Sequence, residues 1–169
     1  PLVRKGIVEI AQHLGSLSRL DTLAMTTNGT RLTEFAAPLK QAGVTHLNIS
    51  LDSLDAKRFH AMTRTGHLDD VLRGIAAAQG AGFRSIKLNT VVLKQRNLPD
   101  VLPLIAFAQQ QGIDISFIEE MPLGVITDHV RRDEFVSSEQ LRAHIETAFE
   151  LLPIENNSLT SGPSRYWQL

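Results

Sequence analysis

Short apolar runs alternate with longer amphipathic segments along most of this chain. The apolar runs cover residues 22–26, 46–51, 85–93 and 114–118, and helical periodicity covers residues 3–14, 32–42, 68–81 and 98–111. Short strands between helices of ten or more residues are typical of a parallel sheet with helices on both faces. The alternation predicts an α/β fold built from repeated right-handed βαβ units, with about four parallel strands.

Three of the predicted helices end in the same motif, a glycine followed at once by a large apolar residue. The pairs are Gly43-Val44, Gly82-Phe83 and Gly112-Ile113. This motif is typical of a helix stop in the left-handed conformation. A predicted strand follows each stop. Four strands are too few to close an eight-stranded barrel, so the pattern predicts a partial (βα) barrel.

The alternation of apolar runs and helical segments ends at about residue 121. Residues 124–133 and 155–163 have the composition of loops, and Ser137 or Ser138 can cap a helix over residues 137–151. Residues 165–169 are compatible with the start of a further strand. We therefore expect a partial barrel over residues 1–124 and a C-terminal extension over residues 125–169.

The composition changes the picture mainly by exclusion. Hydrophobic residues make up 43% of the chain and charged residues 21%, and the formal charge is −1, so neither nucleic-acid nor membrane binding is indicated. No apolar run approaches the length of a membrane span, and a cytoplasmic location is expected. The chain has no cysteine, which excludes disulfides and cysteine-ligated clusters, and its six histidines lack metal-ligand spacing. No metal site is expected in this chain.

Polar clusters stand at or near the end of each predicted strand. They cover residues 26–31, 48–53, 87–90 and 119–122. Ligands of parallel α/β proteins gather outside the carboxyl ends of the strands. Four clusters on one edge therefore predict a ligand with several hydroxyl, phosphate or amine groups.

The first cluster has a purely structural alternative, and the second alternates between polar and apolar residues. Asn28-Gly29 is typical of a turn, because both residues tolerate positive φ. Asn48 and Ser50 alternate with apolar residues, so they should point to the opposite face of the sheet from their neighbours.

Lys87 is the most informative single position, because it lies between Ile86 and Leu88 in an apolar strand. A buried ammonium is costly unless it is paired or bound to a ligand. The structural alternative is an ion pair with Glu119 or Glu120. For Met121 the alternative is core filling, and His46 and His60 are expected to be ordinary histidines.

Five strings carry a resemblance when they are taken together and in order. They are Pro1-Leu2-Val3-Arg4-Lys5, Met25-Thr26-Thr27-Asn28-Gly29, residues 47–54 (LNISLDSL), residues 86–92 (IKLNTVV) and residues 115–122 (ISFIEEMP). Over residues 1–124 the chain resembles the central segment of the GTP 3′,8-cyclase family, also described as molybdenum cofactor biosynthesis protein A, within the radical S-adenosylmethionine enzymes. The string at residues 162–166 also fits.

The resemblance implies a partial (βα)6 barrel, of which this chain would supply strands three to six, with Pro1 as the last residue of a GGEP motif. It implies a lyase that converts GTP to (8S)-3′,8-cyclo-7,8-dihydroguanosine 5′-triphosphate in molybdenum cofactor biosynthesis. In the family, two [4Fe–4S] clusters are held by cysteines in flanking segments, and a 5′-deoxyadenosyl radical takes hydrogen from C3′ of GTP.

The resemblance also implies roles for four residues. Thr26 and Lys87 would bind GTP, and a compact ammonium suits a triphosphate. Ser50 and Met121 would bind S-adenosylmethionine, Met121 near the adenine. Gly6 departs from the aspartate of many members. No catalytic residue is assigned.

The missing cysteines leave three hypotheses. The first is a segment of the family's enzyme that is inactive alone and carries no cluster. The second is an iron-free barrel enzyme in which Lys87 forms a Schiff base. The third is a non-catalytic protein that assembles through exposed sheet edges, as a homo-oligomer or by strand exchange.

Overall fold

The structure is a computed structural model that describes residues 1–121, 129–154 and 165–169. The described chain divides into two compact units, Pro1–Phe135 and Val136–Leu169. The predicted loop at residues 155–163 lies outside the described residues, as do residues 124–128 of the predicted loop at 124–133 and residues 162–164 of the last string.

The first unit is built on a four-stranded parallel sheet in the order β1-β2-β3-β4. The strands are Ala24–Thr27 (β1), His46–Ser50 (β2), Ser85–Val91 (β3) and Asp114–Ile118 (β4). Strand number, direction and sequential order agree with the alternation of apolar runs and helical segments. The predicted α/β fold with four parallel strands is confirmed.

Helices connect the strands throughout this unit. They are Ile7–Gly15 (α1), Leu32–Gln41 (α2), Ala56–Thr63 (α3), Leu68–Ala81 (α4), Val101–Gln111 (α5) and the single turn Arg131–Glu134 (α6). A 3₁₀ turn at Leu98–Asp100 leads into α5. Gly43, Gly82 and Gly112 all have positive φ, as the repeated glycine motif predicts.

Several helices differ from the sequence prediction. α5 begins at Val101 instead of residue 98, and the single turn α6 includes residues 131–133 of the predicted loop. α1 begins at Ile7 instead of residue 3, because Gly6 precedes it in the left-handed conformation at φ 79°. The periodicity did not reveal α3, which has eight residues. Its start is fixed by Asp55, whose carboxylate accepts a hydrogen bond from the Arg58 main chain at 2.8 Å.

The core lies on one face of the sheet. Leu47, Ile49 and Leu88 are fully buried and belong to one cluster with apolar residues of α2, α4 and α5. The alternate residues of β2 and β3 that face the other way are only half-buried. The expectation of helices on both faces is therefore wrong for the described residues. A segment of barrel wall explains the difference, since its inner face is not covered by its own helices.

The second unit contains α7, Ser138–Ile145, and two paired strands, Leu152–Pro153 (β5) and Trp167–Gln168 (β6). A capping box between Ser137 and Gln140 begins α7, as the sequence indicates. The helix ends at residue 145 instead of 151, and the Thr147 hydroxyl donates to the His144 carbonyl at 2.7 Å just beyond its end. β6 lies within the predicted further strand.

No helix in the described parts of the chain is long and apolar enough to span a bilayer.

Candidate ligand-binding face of the sheet

The open face of the sheet carries a row of polar side chains that crosses all four strands. Thr26 is the register partner of Asn48, Asn48 that of Lys87, and Lys87 that of Asp114. Register partners on parallel strands point to the same face and lie about 4.8 Å apart. Four residues that are far apart in sequence therefore form one continuous polar row.

A second row lies two residues further toward the carboxyl ends of the strands. Ser50 pairs in register with Asn89, and Asn89 pairs with Ser116. All three side chains are half-buried. The two rows together give hydroxyl, amide, ammonium and carboxylate groups on one face of the sheet. The alternating burial of β2 confirms that Asn48 and Ser50 point away from Leu47, Ile49 and Leu51.

Lys87 lies on this open face and not within the apolar core. Ile86 and Leu88 point into the core, whereas Lys87 is half-buried on the other side of the strand. Among the described residues its ammonium has no hydrogen bond or ion pair. Of the two expected partners, Glu120 pairs with His129 instead, at 2.5 Å. Lys87 is therefore half-buried instead of buried, and the alternative of an ion pair with Glu120 is not observed.

The end of β1 is shaped by two glycines. Gly29 has a φ of 77°, and its main-chain N–H donates to the Thr27 hydroxyl at 3.2 Å, which confirms the predicted turn. A Cβ on Gly74 in α4 would overlap the carbonyl oxygen of Gly29. The absence of side chains thus lets the turn pack directly on α4, and this fixes the main chain beside Thr26.

The ends of β2 and β3 are joined by side chains. The buried Thr90 hydroxyl donates to the Leu51 carbonyl at 2.7 Å, and Asp52 Oδ1 accepts from the Val91 main-chain N–H at 2.9 Å. Burial raises the pKa of the Asp52 carboxyl, and the Val91 hydrogen bond opposes this only in part. Asp52 is therefore a half-buried acid beside Ser50.

Met121 stands three residues beyond the end of β4. Its side chain is 60% exposed, so it does not fill the core. The preceding Glu120 is held by the His129 contact and by two hydrogen bonds from the Arg131 guanidinium to its carbonyl. Thr26, Ser50 and Lys87 share one face by register, and Met121 lies at the carboxyl end of the last strand.

His46 and His60 lie outside the polar row. His46 is half-buried at the start of β2 and contacts the Thr45 hydroxyl at 2.8 Å. His60 is exposed in α3 and stacks on His67 with ring centroids 6.0 Å apart. Neither belongs to the row that contains Lys87.

A cavity of about 380 Å³ lies outside the sheet. It is lined by residues 2–9 together with Arg31 and Phe35. The Arg31 guanidinium is already engaged by the Leu2 carbonyl and by Glu34 at 2.7 Å. The Arg31 guanidinium is therefore not free to bind a ligand in this cavity.

The donor set of this chain does not fit an iron–sulfur cluster. Such clusters require cysteine thiolates, or histidine at some irons, and the chain has no cysteine. Within residues 1–121, 129–154 and 165–169, no three His, Asp or Glu side chains group as metal ligands. The open face does fit a polar organic ligand, because a half-buried ammonium without an ion pair stands among amides and hydroxyls.

Comparison with known proteins agrees with this architecture. The family described as the Radical SAM superfamily matches residues 1–108, which is more than half of the chain. The chain belongs to the radical S-adenosylmethionine superfamily.

Three similar curated relatives carry the same name. The chain is 54% identical to GTP 3′,8-cyclase of Ectopseudomonas mendocina (strain ymp) over 169 residues, which are 100% of this chain and 50% of that protein. It is 49% identical to GTP 3′,8-cyclase of Saccharophagus degradans over 168 residues, 99% of this chain and 50% of that protein. For GTP 3′,8-cyclase of Pseudomonas putida (strain W619) the identity is 52% over 169 residues, again 100% and 50%. The chain spans about half the length of the curated relatives it matches.

Proposed function

We propose that this chain is the segment of a GTP 3′,8-cyclase that forms the ligand-binding part of its barrel wall. The complete enzyme would convert GTP to (8S)-3′,8-cyclo-7,8-dihydroguanosine 5′-triphosphate in molybdenum cofactor biosynthesis. The observation that carries the proposal is the polar row Thr26, Asn48 and Lys87 on the open face of the sheet. Identities of 49–54% to GTP 3′,8-cyclases support it.

In this proposal Lys87 and Thr26 bind GTP. The Lys87 ammonium is half-buried and has no ion pair in the described chain, so it is available to a phosphate group. Thr26 lies two strands away in the same row, at roughly 10 Å by the strand spacing. A nucleotide is long enough to contact both.

S-Adenosylmethionine would bind at the carboxyl ends of the strands. Ser50 offers a hydroxyl in the second row, and the exposed Met121 offers an apolar side chain for the adenine. The two ligands would lie side by side, because Ser50 is two residues from the row that contains Lys87.

The work of these residues is binding, orientation and exclusion of water. S-Adenosylmethionine would supply the radical chemistry once a reduced [4Fe–4S] cluster, held by the rest of the complete enzyme, gives it an electron. The chain's own groups hold the ribose of GTP toward it and keep the reacting carbon in place. This chain alone has no ligands for a cluster, so we expect no turnover from it in isolation. We assign it a cytoplasmic location.

The test is a chimera in which this chain replaces the matching half of GTP 3′,8-cyclase from E. mendocina. That relative is 54% identical to the chain over its whole length, so the two halves of the chimera should pack together. Product formation from GTP is followed by mass spectrometry after anaerobic cluster reconstitution. We expect turnover by the chimera.

The matched control separates a ligand site from a merely tolerated segment. Lys87→Met should abolish most of the turnover, whereas Lys57→Met, at an exposed site in α3, should leave it unchanged. A folded, cluster-loaded chimera with no product would contradict the proposal.

The unpaired sheet edges favour a second, compatible property. β1 and β4 each have one strand neighbour within the described chain. Exposed edges pair readily with other chains. Self-association of the isolated chain is therefore also proposed.

A further inference from the structure

Asn97 is a fully buried amide in the loop between β3 and α5. Its Nδ2 donates to the main-chain oxygens of Asp52 and Val91, each at 2.9 Å. Its Oδ1 accepts from the main-chain N–H of Leu93 at 2.7 Å. A single side chain therefore joins the ends of two neighbouring strands, and its amide hydrogens are both satisfied by main chain.

These bonds continue the pairing of β2 and β3 beyond the regular ladder. The ladder reaches the pair Ser50 and Asn89. Beyond it, the Leu51 N–H donates to the Asn89 carbonyl at 3.0 Å, and the Thr90 hydroxyl donates to the Leu51 carbonyl. The strand ends next to Ser50 are thus held together by side chains where the sheet itself ends.

The loop that carries Asn97 is itself anchored. The Asp100 main-chain N–H donates to the Asn97 carbonyl at 2.9 Å, and the buried Asp100 carboxylate pairs with Arg58 of α3 at 2.6 Å. Asn97 is therefore fixed from both sides and can act as a rigid tie between the strands.

We propose that Asn97 is a positioning residue that holds the end of β2, and with it Ser50, at a fixed place relative to β3 and Lys87. It acts through the main chain of Asp52 and Val91 and touches neither ligand. This inference rests on the proposed function, in which Ser50 and Lys87 contact different ligands.

The placement predicts an unequal effect on the two ligands. Asp52 lies two residues after Ser50, whereas Val91 lies four residues after Lys87, about 13 Å along the strand. Loss of the tie should therefore displace Ser50 more than Lys87. A site must be held within about 0.5 Å to remain effective.

The experiment measures dissociation constants for S-adenosylmethionine and for GTP by calorimetry in the chimera and in its Asn97→Asp variant. The carboxylate keeps an acceptor for Leu93 but turns an oxygen toward two carbonyl oxygens. We expect the dissociation constant for S-adenosylmethionine to rise about tenfold and that for GTP to change less than about threefold. Amide exchange at Leu51 and Val91 should become faster.

Gln110→Glu is the control, because it makes the same change of charge at an exposed site in α5 and should leave both constants unchanged. If Asn97→Asp does not fold, Thr90→Val removes a neighbouring bond between the same two strand ends. It should raise the dissociation constant for S-adenosylmethionine by a smaller factor.

Two results would overturn the positioning role and leave the proposed function intact. One is an equal rise in the dissociation constants for both ligands. The other is unchanged dissociation constants in a variant whose amide exchange at Val91 is faster. A folded, unmutated chimera that binds neither ligand would contradict the proposed function, and the positioning role with it.

Discussion

Asn48 and Lys87 are register partners on neighbouring parallel strands, and both side chains lie on the face of the sheet that the helices leave open. This relationship places an amide next to an ammonium that has no ion pair in the described chain. The same register continues on both sides, so the polar row extends from Thr26 on β1 to Asp114 on β4. The function assigned to the chain depends on this row.

The close packing of the β1 turn on α4 should be sensitive to one methyl group. Gly74→Ala would push a Cβ into the Gly29 carbonyl, which is main chain and cannot rotate away. We expect a loss of about 1–3 kcal/mol in the free energy of unfolding, measured by urea denaturation of the chain.

Gly80→Ala in the same helix is the control for that substitution. A Cβ at Gly80 would meet nothing within 4 Å, and alanine is the better helix former. We expect it to raise stability by about 0.5–1 kcal/mol. Equal effects of the two substitutions would contradict the close approach at Gly29.

Asp52 should impose a pH dependence on stability. Burial raises its pKa above the ordinary 3.8, so the folded chain binds this proton more tightly than the unfolded chain does. Its contribution to stability is therefore largest at low pH, decreases as the pH rises from about 4 through the raised pKa, and stays lower above it. Asp52→Asn removes this decrease and keeps an oxygen that can accept from Val91.

Urea midpoints from pH 4 to pH 8 provide the measurement. The variant should gain stability relative to the unmodified chain as the pH rises, whereas Asp21→Asn, at an exposed site, should show no such trend. A constant difference between the Asp52 variant and the unmodified chain would rule out the raised pKa.

Self-association should depend on the edge of β1. Ala24 is exposed in this edge strand, and a lysine there disfavours pairing between chains. We expect Ala24→Lys to lower the apparent mass in light scattering at high concentration. Ala76→Lys, on the exposed side of α4, should leave it unchanged. A monomeric unmodified chain would count against assembly through the edges.

The Schiff-base hypothesis makes an opposing prediction about Lys87. If the ammonium binds phosphate, borohydride treatment with small aldehydes and ketones should leave no adduct that is specific to Lys87. Peptide mass mapping measures this. Selective labelling of Lys87 over the exposed Lys57 would favour carbonyl chemistry instead.

The sheet was predictable because each strand has apolar residues at fixed spacing and each repeated glycine motif marks a helix end. In contrast, the sequence did not predict that one face of the sheet stays open. In β3, Lys87 alternates with the apolar Ile86 and Leu88, but sequence alone does not show whether a second layer covers the side of Lys87.

The candidate site could be proposed from sequence only where polar residues interrupt a strand. Asn48, Ser50 and Lys87 do so, and register then brings them together. Asn97 lies in a loop, where polar residues are common, and its three main-chain partners are defined only by the folded chain. The eight-residue α3 was missed for a related reason, since it is too short for a clear apolar period.

The most direct test of the central claim compares ligand affinities of two variants in the chimera. Lys87→Met removes a charged contact to phosphate and should raise the dissociation constant for GTP about tenfold to a hundredfold. Ser50→Ala removes a neutral hydroxyl and should raise that for S-adenosylmethionine about two- to tenfold. Each variant should leave the other ligand's constant unchanged. Folded variants that bind both ligands as tightly as the unmutated chimera would contradict the assignment of this face as the binding site.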